Sequence, residues 1–254
     1  MSVLLAFETS GKSGSVAILR DQSGTVTCDS ELLSAESGSA KTLAPAIERL
    51  MARTNLEMQS LAAIALLTGP GSFTGLRVGV ATAKAMAYAL RIPTVEVDTL
   101  DVIARQCPVA SKAMYAIFDA YRGQVFVAEY SVPTADTKQA IEKVSKTEIL
   151  DIDVLLNRAI HRVGSDMTID LCGPGCDRIW RFLSNPEPGR PEIAASVVER
   201  IRWIDGHETF PHAETVALLG HEKFQSGHFC EPFSLQPRYY RGSAAEEVAA
   251  KNKP

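Results

Sequence analysis

Histidine is missing from the whole first half of the chain; the five present are His161, His207, His212, His221 and His228. This excludes from that half the helical pair, two histidines four residues apart, on which many metal enzymes are built. His207 and His212 are five apart and straddle Pro211, so they cannot share one helix face either. Long apolar runs are also missing. No uninterrupted stretch approaches the ~20 residues of a membrane span. The apolar Val3 to Phe7 is too short for a secretory leader and is followed at once by Glu8. There is no excess of positive charge: 26 Lys and Arg against 30 Asp and Glu leave a net charge of -4, which argues against holding nucleic acid by bulk electrostatics. The five cysteines (Cys28, Cys107, Cys172, Cys176, Cys230) are odd in number and irregularly placed. Cys172 and Cys176 have no second pair with which to complete a zinc site. These absences lead us to expect a cytoplasmic protein with reduced thiols, no membrane association and no metal site.

With 254 residues, 46% of them hydrophobic, the chain has ample material for a core. Its most informative stretch is Gly69-Pro70-Gly71-Ser72-Phe73-Thr74-Gly75. The apolar run 61–67 before it reads as a strand buried on both faces, and 76–90 after it, rich in alanine and free of proline, reads as a helix. A strand, a glycine turn and a helix start expose backbone N–H groups beside the positive end of a helix dipole, the ingredients of an anion site. The loop nevertheless fits neither phosphate fingerprint. Leu76-Arg77 stands where a Walker A loop needs Lys-Ser/Thr, and Thr74 replaces the third glycine of a dinucleotide loop. The other reading is that the glycines only permit a tight turn and a close helix approach.

That helix carries small residues at every fourth position, Gly71, Gly75, Gly79, Ala83 and Ala87. One stripe is therefore nearly bare, and it suits either close packing on the chain's own sheet or contact with a helix of another subunit. A second amphipathic helix, with Ser39 as its expected cap, runs to about Arg53 and carries Leu43, Ile47, Leu50 and Met51 on its apolar face.

Two hairpin patterns stand out. Strands 2–8 and 15–19 flank a polar turn, with a third strand at 25–33; strands 113–119 and 124–130 flank Ala120-Tyr121-Arg122-Gly123. Each first strand ends in an acid, Glu8 or Asp119. Paired acids of this kind hold metal and phosphates in nucleotide-cleaving enzymes. Alternatively, each caps the N–H groups of its own turn. Further along, a strand is expected near 143–148, a helix at 153–160, a strand at 169–172, a helix after Gly173-Pro174-Gly175, a loop at 185–189 and a helix at 213–224, whereas 191–204 reads ambiguously and the tail 232–254 reads as extended and partly mobile. The repeated pattern predicts a duplicated α/β architecture of two lobes, 1–107 and 108–254, joined by a hinge at 108–112 with a cleft between them.

Several blocks resemble a known family. Leu67 to Gly79, containing the glycine loop, resembles the signature of the TsaB (YeaZ) family, the non-catalytic paralogues of the threonylcarbamoyl transferase TsaD. Leu5-Ala6-Phe7-Glu8-Thr9-Ser10, Ala116 to Phe126 and Pro237-Arg238-Tyr239-Tyr240-Arg241 are similar to that family's two hairpins and its C-terminal Pro-x-Tyr-x-Arg element. There are two departures: Glu8 stands where the family usually has aspartate, and Gly38-Ser39-Ala40-Lys41 lacks the histidine usual before the first helix.

The resemblance implies a duplicated actin-like ATPase (ribonuclease H-like) fold. It also implies an accessory, non-catalytic subunit in making threonylcarbamoyladenosine next to the anticodon of tRNAs that read codons beginning with A. The implied partners are a TsaD-type transferase, a TsaE-type ATPase and a second copy of the chain, with tRNA contacted only indirectly. Gly75, Gly79, Ala83 and Ala87, with Leu43 and Ile47, are the expected partner interface. No catalytic residue, metal ligand or required cofactor is expected. Thr9, Ser10, Gly71 and Ser72 are expected to bind the phosphates of ATP or ADP weakly at most. The competing reading is an active ATPase of the same fold or a glycoprotease-like enzyme.

Overall fold

The computed structural model describes residues 2–11, 13–108, 111, 113–132, 141–163, 168–185, 198–204 and 210–241. Strands β1 (Ser2–Glu8), β2 (Ser15–Gln22), β3 (Thr25–Leu32), β4 (Ala63–Gly69) and β5 (Thr94–Asp98) form one sheet in the order β3-β2-β1-β4-β5. The hairpin strands are antiparallel, and β4 and β5 run parallel to β1. The second sheet repeats this plan. β6 (Ala113–Asp119) and β7 (Gln124–Ser131) form its hairpin, β8 (Glu142–Lys143) and β9 (Glu148–Asp151) pair with β7, and β10 (Ile169–Cys172) and β11 (Ile201–Ile204) lie parallel on the other side. Two copies of this ribonuclease H-like strand order in one chain make the two-lobed actin-like fold that the hairpin repeat predicts.

Continuous apolar runs form the central strands because helices cover both faces of the first sheet. On one face α1 (Ser39–Arg53) and α2 (Phe73–Leu90) bury Leu43, Ile47, Leu50, Val80, Ala83 and Ala87 against Leu5, Phe7, Ile64 and Leu66. On the other, α6 (Ala213–Gln225) sets Ala213, Val216 and Ala217 on Leu4, Ala6, Ala65 and Val97. In the second sheet, α4 (Ile152–Val163) and α5 (Cys176–Ser184) bury Leu155, Leu156 and Ile179 against Tyr115, Ile117 and Leu171.

Three expectations need correction. The division at 107/108 separates the sheets but not the chain: α6, well past it, packs on the first sheet, where Gly220 lets it approach Ala65 too closely for any side chain. Conversely α3 (Thr99–Gln106), assigned to the first lobe, puts Leu100, Ile103 and Ala104 into a cluster with Met114, Ala116 and Ala128 of the second. Ser39 is not a cap; Gly38 occupies that position with φ 69°, a conformation costly for serine, and no side chain caps this end. The strand expected at 143–148 is two short strands on either side of a polar link. Most of the expected hinge (109, 110 and 112) and of the loop at 185–189, half of 191–204 (191–197), His207 and the tail 242–254 lie outside the described residues.

Candidate functional site

The two hairpin turns and the glycine loop meet between the lobes. Glu8, at the end of β1, is only 1% exposed and accepts hydrogen bonds from the Ser10 backbone N–H and hydroxyl, both at 2.9 Å. Burial pushes its pKa up from 4.5 to about 7, outweighing the hydrogen bonds of its own turn, which act in the opposite sense. The next residue, Thr9, is buried and donates its hydroxyl to the Gly75 carbonyl at 2.7 Å. The Ser10 carbonyl accepts from the Ser72 N–H at 2.8 Å, and a Cβ on Gly71 would stand 2.5 Å from that of Ser10. First hairpin and glycine loop are therefore packed onto each other with no gap for a phosphate between them. Ser72 caps α2 itself, its Oγ accepting from the Gly75 N–H at 3.3 Å. Of the four expected phosphate contacts, Ser10 and Ser72 reach the cleft. Thr9 gives its hydroxyl to this packing, and neither Thr9 nor Gly71 lines the cleft.

The second acid lies differently. Asp119 Oδ1 accepts from the Tyr121 N–H at 2.7 Å, and the Arg178 guanidinium grips the same carboxylate at 3.2 and 3.3 Å. Arg178 comes from α5, brought close to β6 because Gly173 (φ 112°) and Gly175 lie against the Ile117 backbone with no room for a side chain. The resulting cleft, about 410 Å³, is lined by Ser10, Gly11 and Ser72 from the first lobe and by Asp119, Tyr121, Asp177, Arg178 and Arg181 from the second. Its chemistry is nearly balanced in charge. Both acids accept the N–H two residues on, as turn caps do. They do not converge on a common point, because Glu8 is shut into its lobe and Asp119 is neutralised by an arginine.

The small-residue stripe of α2 faces inward. A Cβ on Gly75 would overlap the Thr9 carbonyl oxygen outright, and one on Gly79 would lie 2.6 Å from Thr9 Oγ1. Ala83, Ala87, Leu43 and Ile47 are buried in the core beneath β1 and β4. All six residues expected at a partner interface are thus core residues, and their smallness serves the approach of α2 to its own sheet.

The same spacing identifies the face that sequence reasoning missed. Positions 73, 77, 81 and 85 are offset from 75, 79, 83 and 87 by two residues, ~200° around the helix, and so look outward. There Phe73 is 37% exposed and Tyr88 64%. The Arg77 guanidinium lies over the Phe73 ring at 3.8 Å and donates to the Tyr239 hydroxyl at 2.9 Å. Tyr239 contacts Phe73 at 4.8 Å, and Phe233 contacts Tyr88 edge-on at 5.2 Å. The helix contains no acidic residue, and its charges, Arg77 and Lys84, are continued by Arg91 at the same spacing of seven. An aromatic and cationic face of this kind suits a protein partner with an apolar, acidic surface.

Comparison with known proteins gives consistent results. Residues 34–171 match the family model described as TsaD, tRNA N6-adenosine threonylcarbamoyltransferase. The tRNA threonylcarbamoyladenosine biosynthesis protein TsaB of Escherichia coli strain K12 is 27% identical over 245 residues, covering 95% of this chain and 96% of that protein. The protein of the same name from Bacillus subtilis strain 168 is 29% identical over 168 residues, 65% and 72% of the two chains. The solved structure of YeaZ from Pseudomonas aeruginosa superimposes with a TM-score of 0.71 at 24% identity, over 94% of this chain and 100% of that one.

Proposed function

The chain belongs to the TsaB (YeaZ) family, and from that premise we propose that it acts in the formation of threonylcarbamoyladenosine in tRNA as a non-catalytic subunit. In this reading it docks onto a TsaD-type transferase, a TsaE-type ATPase joins the assembly, and the transfer chemistry belongs to the partner. The observation that carries the reading is the state of the two acids. A nucleotide-cleaving cleft needs carboxylates free to hold a cation beside the phosphates, whereas Glu8 is buried on its own turn and Asp119 is held by Arg178. The outer face of α2, with Phe73, Arg77 and Tyr88, is the docking surface, and a second copy of the chain competes for it when the transferase is absent.

The test is reconstitution. The purified chain, given tRNA, ATP and threonylcarbamoyl-adenylate, forms no modified nucleoside. Adding the TsaD-type transferase and the TsaE-type ATPase produces it, and leaving this chain out of the full set lowers the yield sharply. Turnover by the chain alone at the rate of the full set would overturn the proposal.

A further inference from the structure

The C-terminal segment 237–241 runs across both lobes. In the first, the Arg238 N–H donates to the Thr68 carbonyl at 2.7 Å, and the Arg238 guanidinium pairs with Glu96 at 2.8 Å. Gly69 leaves no side chain in the way, since a Cβ there would lie 2.7 Å from the Arg238 carbonyl oxygen. Tyr239 joins the Phe73–Arg77 stack. The segment then reaches the second lobe. The Tyr240 hydroxyl donates to Asp98 at 3.3 Å while its ring packs on Phe126 at 5.8 Å. Arg241 donates to the Ala120 carbonyl at 2.7 Å and to the Gln124 side chain, holding both ends of the β6–β7 turn. The turn so held carries Tyr121 and Arg122 at φ 61° and 53°, a left-handed conformation that non-glycine residues keep only when their surroundings impose it.

We propose that residues 237–241 are a strap that fixes the opening of the interlobe cleft. A two-lobed chain that works by closing its cleft needs one compliant connection between lobes. Here α3 is packed into both, Lys143 of the second lobe bonds Asp98 and Asp101 at 3.3 and 2.9 Å, and the strap adds a further set of bonds at the rim of the cleft itself. The consequence is a cleft of fixed width and a rigid platform under the outer face of α2, to which the strap contributes Tyr239. This goes beyond the docking proposal and stands or falls on the isolated chain.

The test measures the distance across the cleft in the full-length chain, with spin labels on p-acetylphenylalanine introduced at Glu48 in α1 and Asn157 in α4, together with amide hydrogen exchange. The unaltered chain gives one narrow distance distribution. Arg241→Ala broadens it and raises exchange in 119–124 by about tenfold, the scale expected when a few hydrogen bonds are lost, while amides of β1 and β4 keep their protection. Tyr240→Phe, which keeps the ring on Phe126 and removes the hydroxyl bonded to Asp98, moves both readouts in the same direction by less and serves if Arg241→Ala folds poorly. A distance distribution and a 119–124 exchange rate unchanged in both variants would overturn the strap. Neither result involves the transferase, so failure here leaves the docking proposal untouched, and failed docking leaves the strap intact.

Discussion

Gly75→Ala is the smallest change that separates a packing role for the glycine stripe from an interface role. On an exposed helix face this substitution stabilises by about 1 kcal/mol, because alanine loses less backbone entropy than glycine. At position 75 the added methyl group would occupy the space of the Thr9 carbonyl oxygen, a backbone atom that no rotamer change can move aside. The start of α2 must then shift from the end of β1, and overpacking of this kind costs roughly 1–3 kcal/mol. The shift also stretches the hydrogen bond from Thr9 Oγ1 to the Gly75 carbonyl, worth about 1 kcal/mol. Set against the propensity gain, the net loss is about 2 kcal/mol, which in a chain of this size lowers Tm by roughly 4–8 °C. The assay is thermal unfolding followed by circular dichroism. The control runs the same exchange in reverse on the exposed face of the helix: Ala81→Gly should lower Tm, by the ordinary propensity cost of about 1 kcal/mol. The two sites thus prefer opposite residues. A Gly75→Ala protein as stable as the unaltered chain would refute the packing geometry and return the stripe to the surface.

Three further outcomes follow from the structure. Because the folded-state pKa of Glu8 is raised to about 7, its protonation favours the folded state below pH 4.5, and that contribution is lost as pH rises through 7. Glu8→Gln should match the unaltered chain near pH 4.5 and be more stable at pH 8 by up to about 3 kcal/mol, as urea unfolding at both pH values would show; a pH-independent difference would contradict it. Asp170 is fully buried, accepts from Ser111 N–H and hydroxyl at 3.0 and 2.6 Å, and is paired with Arg202 at 2.7 Å. Asp170→Ala should therefore cost about 3 kcal/mol, read from the urea midpoint, since it strands buried donors. Titration calorimetry with ATP and Mg2+ should give millimolar affinity or none, about -4 kcal/mol or weaker; micromolar binding would mean that the hairpin and glycine loop can part.

The hairpins and central strands were legible because they satisfy short-range rules. Alternation and turn residues define Ser2–Glu8, Ala113–Asp119 and Ile169–Cys172, and all three strands have those bounds. The helix over the glycine stripe was legible too, but not which way its stripe faces, because periodicity gives the angle between residues and not the direction of the neighbouring sheet. The outward positions 73, 77 and 81 carry the same four-residue period and went unread, since exposed aromatics look like core residues until burial is known. The placement of α6 on the first lobe could not be read either: Ala213, Val216 and Ala217 make an apolar face that would suit either sheet. Arg178 as the partner of Asp119 is a contact between residues 59 apart in sequence, for which no local pattern exists.

The central claim is that the outer face of α2 docks a TsaD-type transferase. It is tested most directly by titrating that protein, in a calorimeter, with the unaltered chain and with Phe73→Ala and Tyr88→Ala. Neither side chain belongs to the buried core clusters, so both variants should stay folded, losing at most a few degrees of Tm with the Phe73 contacts to Arg77 and Tyr239 and the Tyr88 contact to Phe233. Aromatic anchors at an interface centre cost about 2 kcal/mol or more when truncated, so at least one variant should bind roughly thirtyfold more weakly. Folded variants that both bind the transferase as tightly as the unaltered chain would contradict the account.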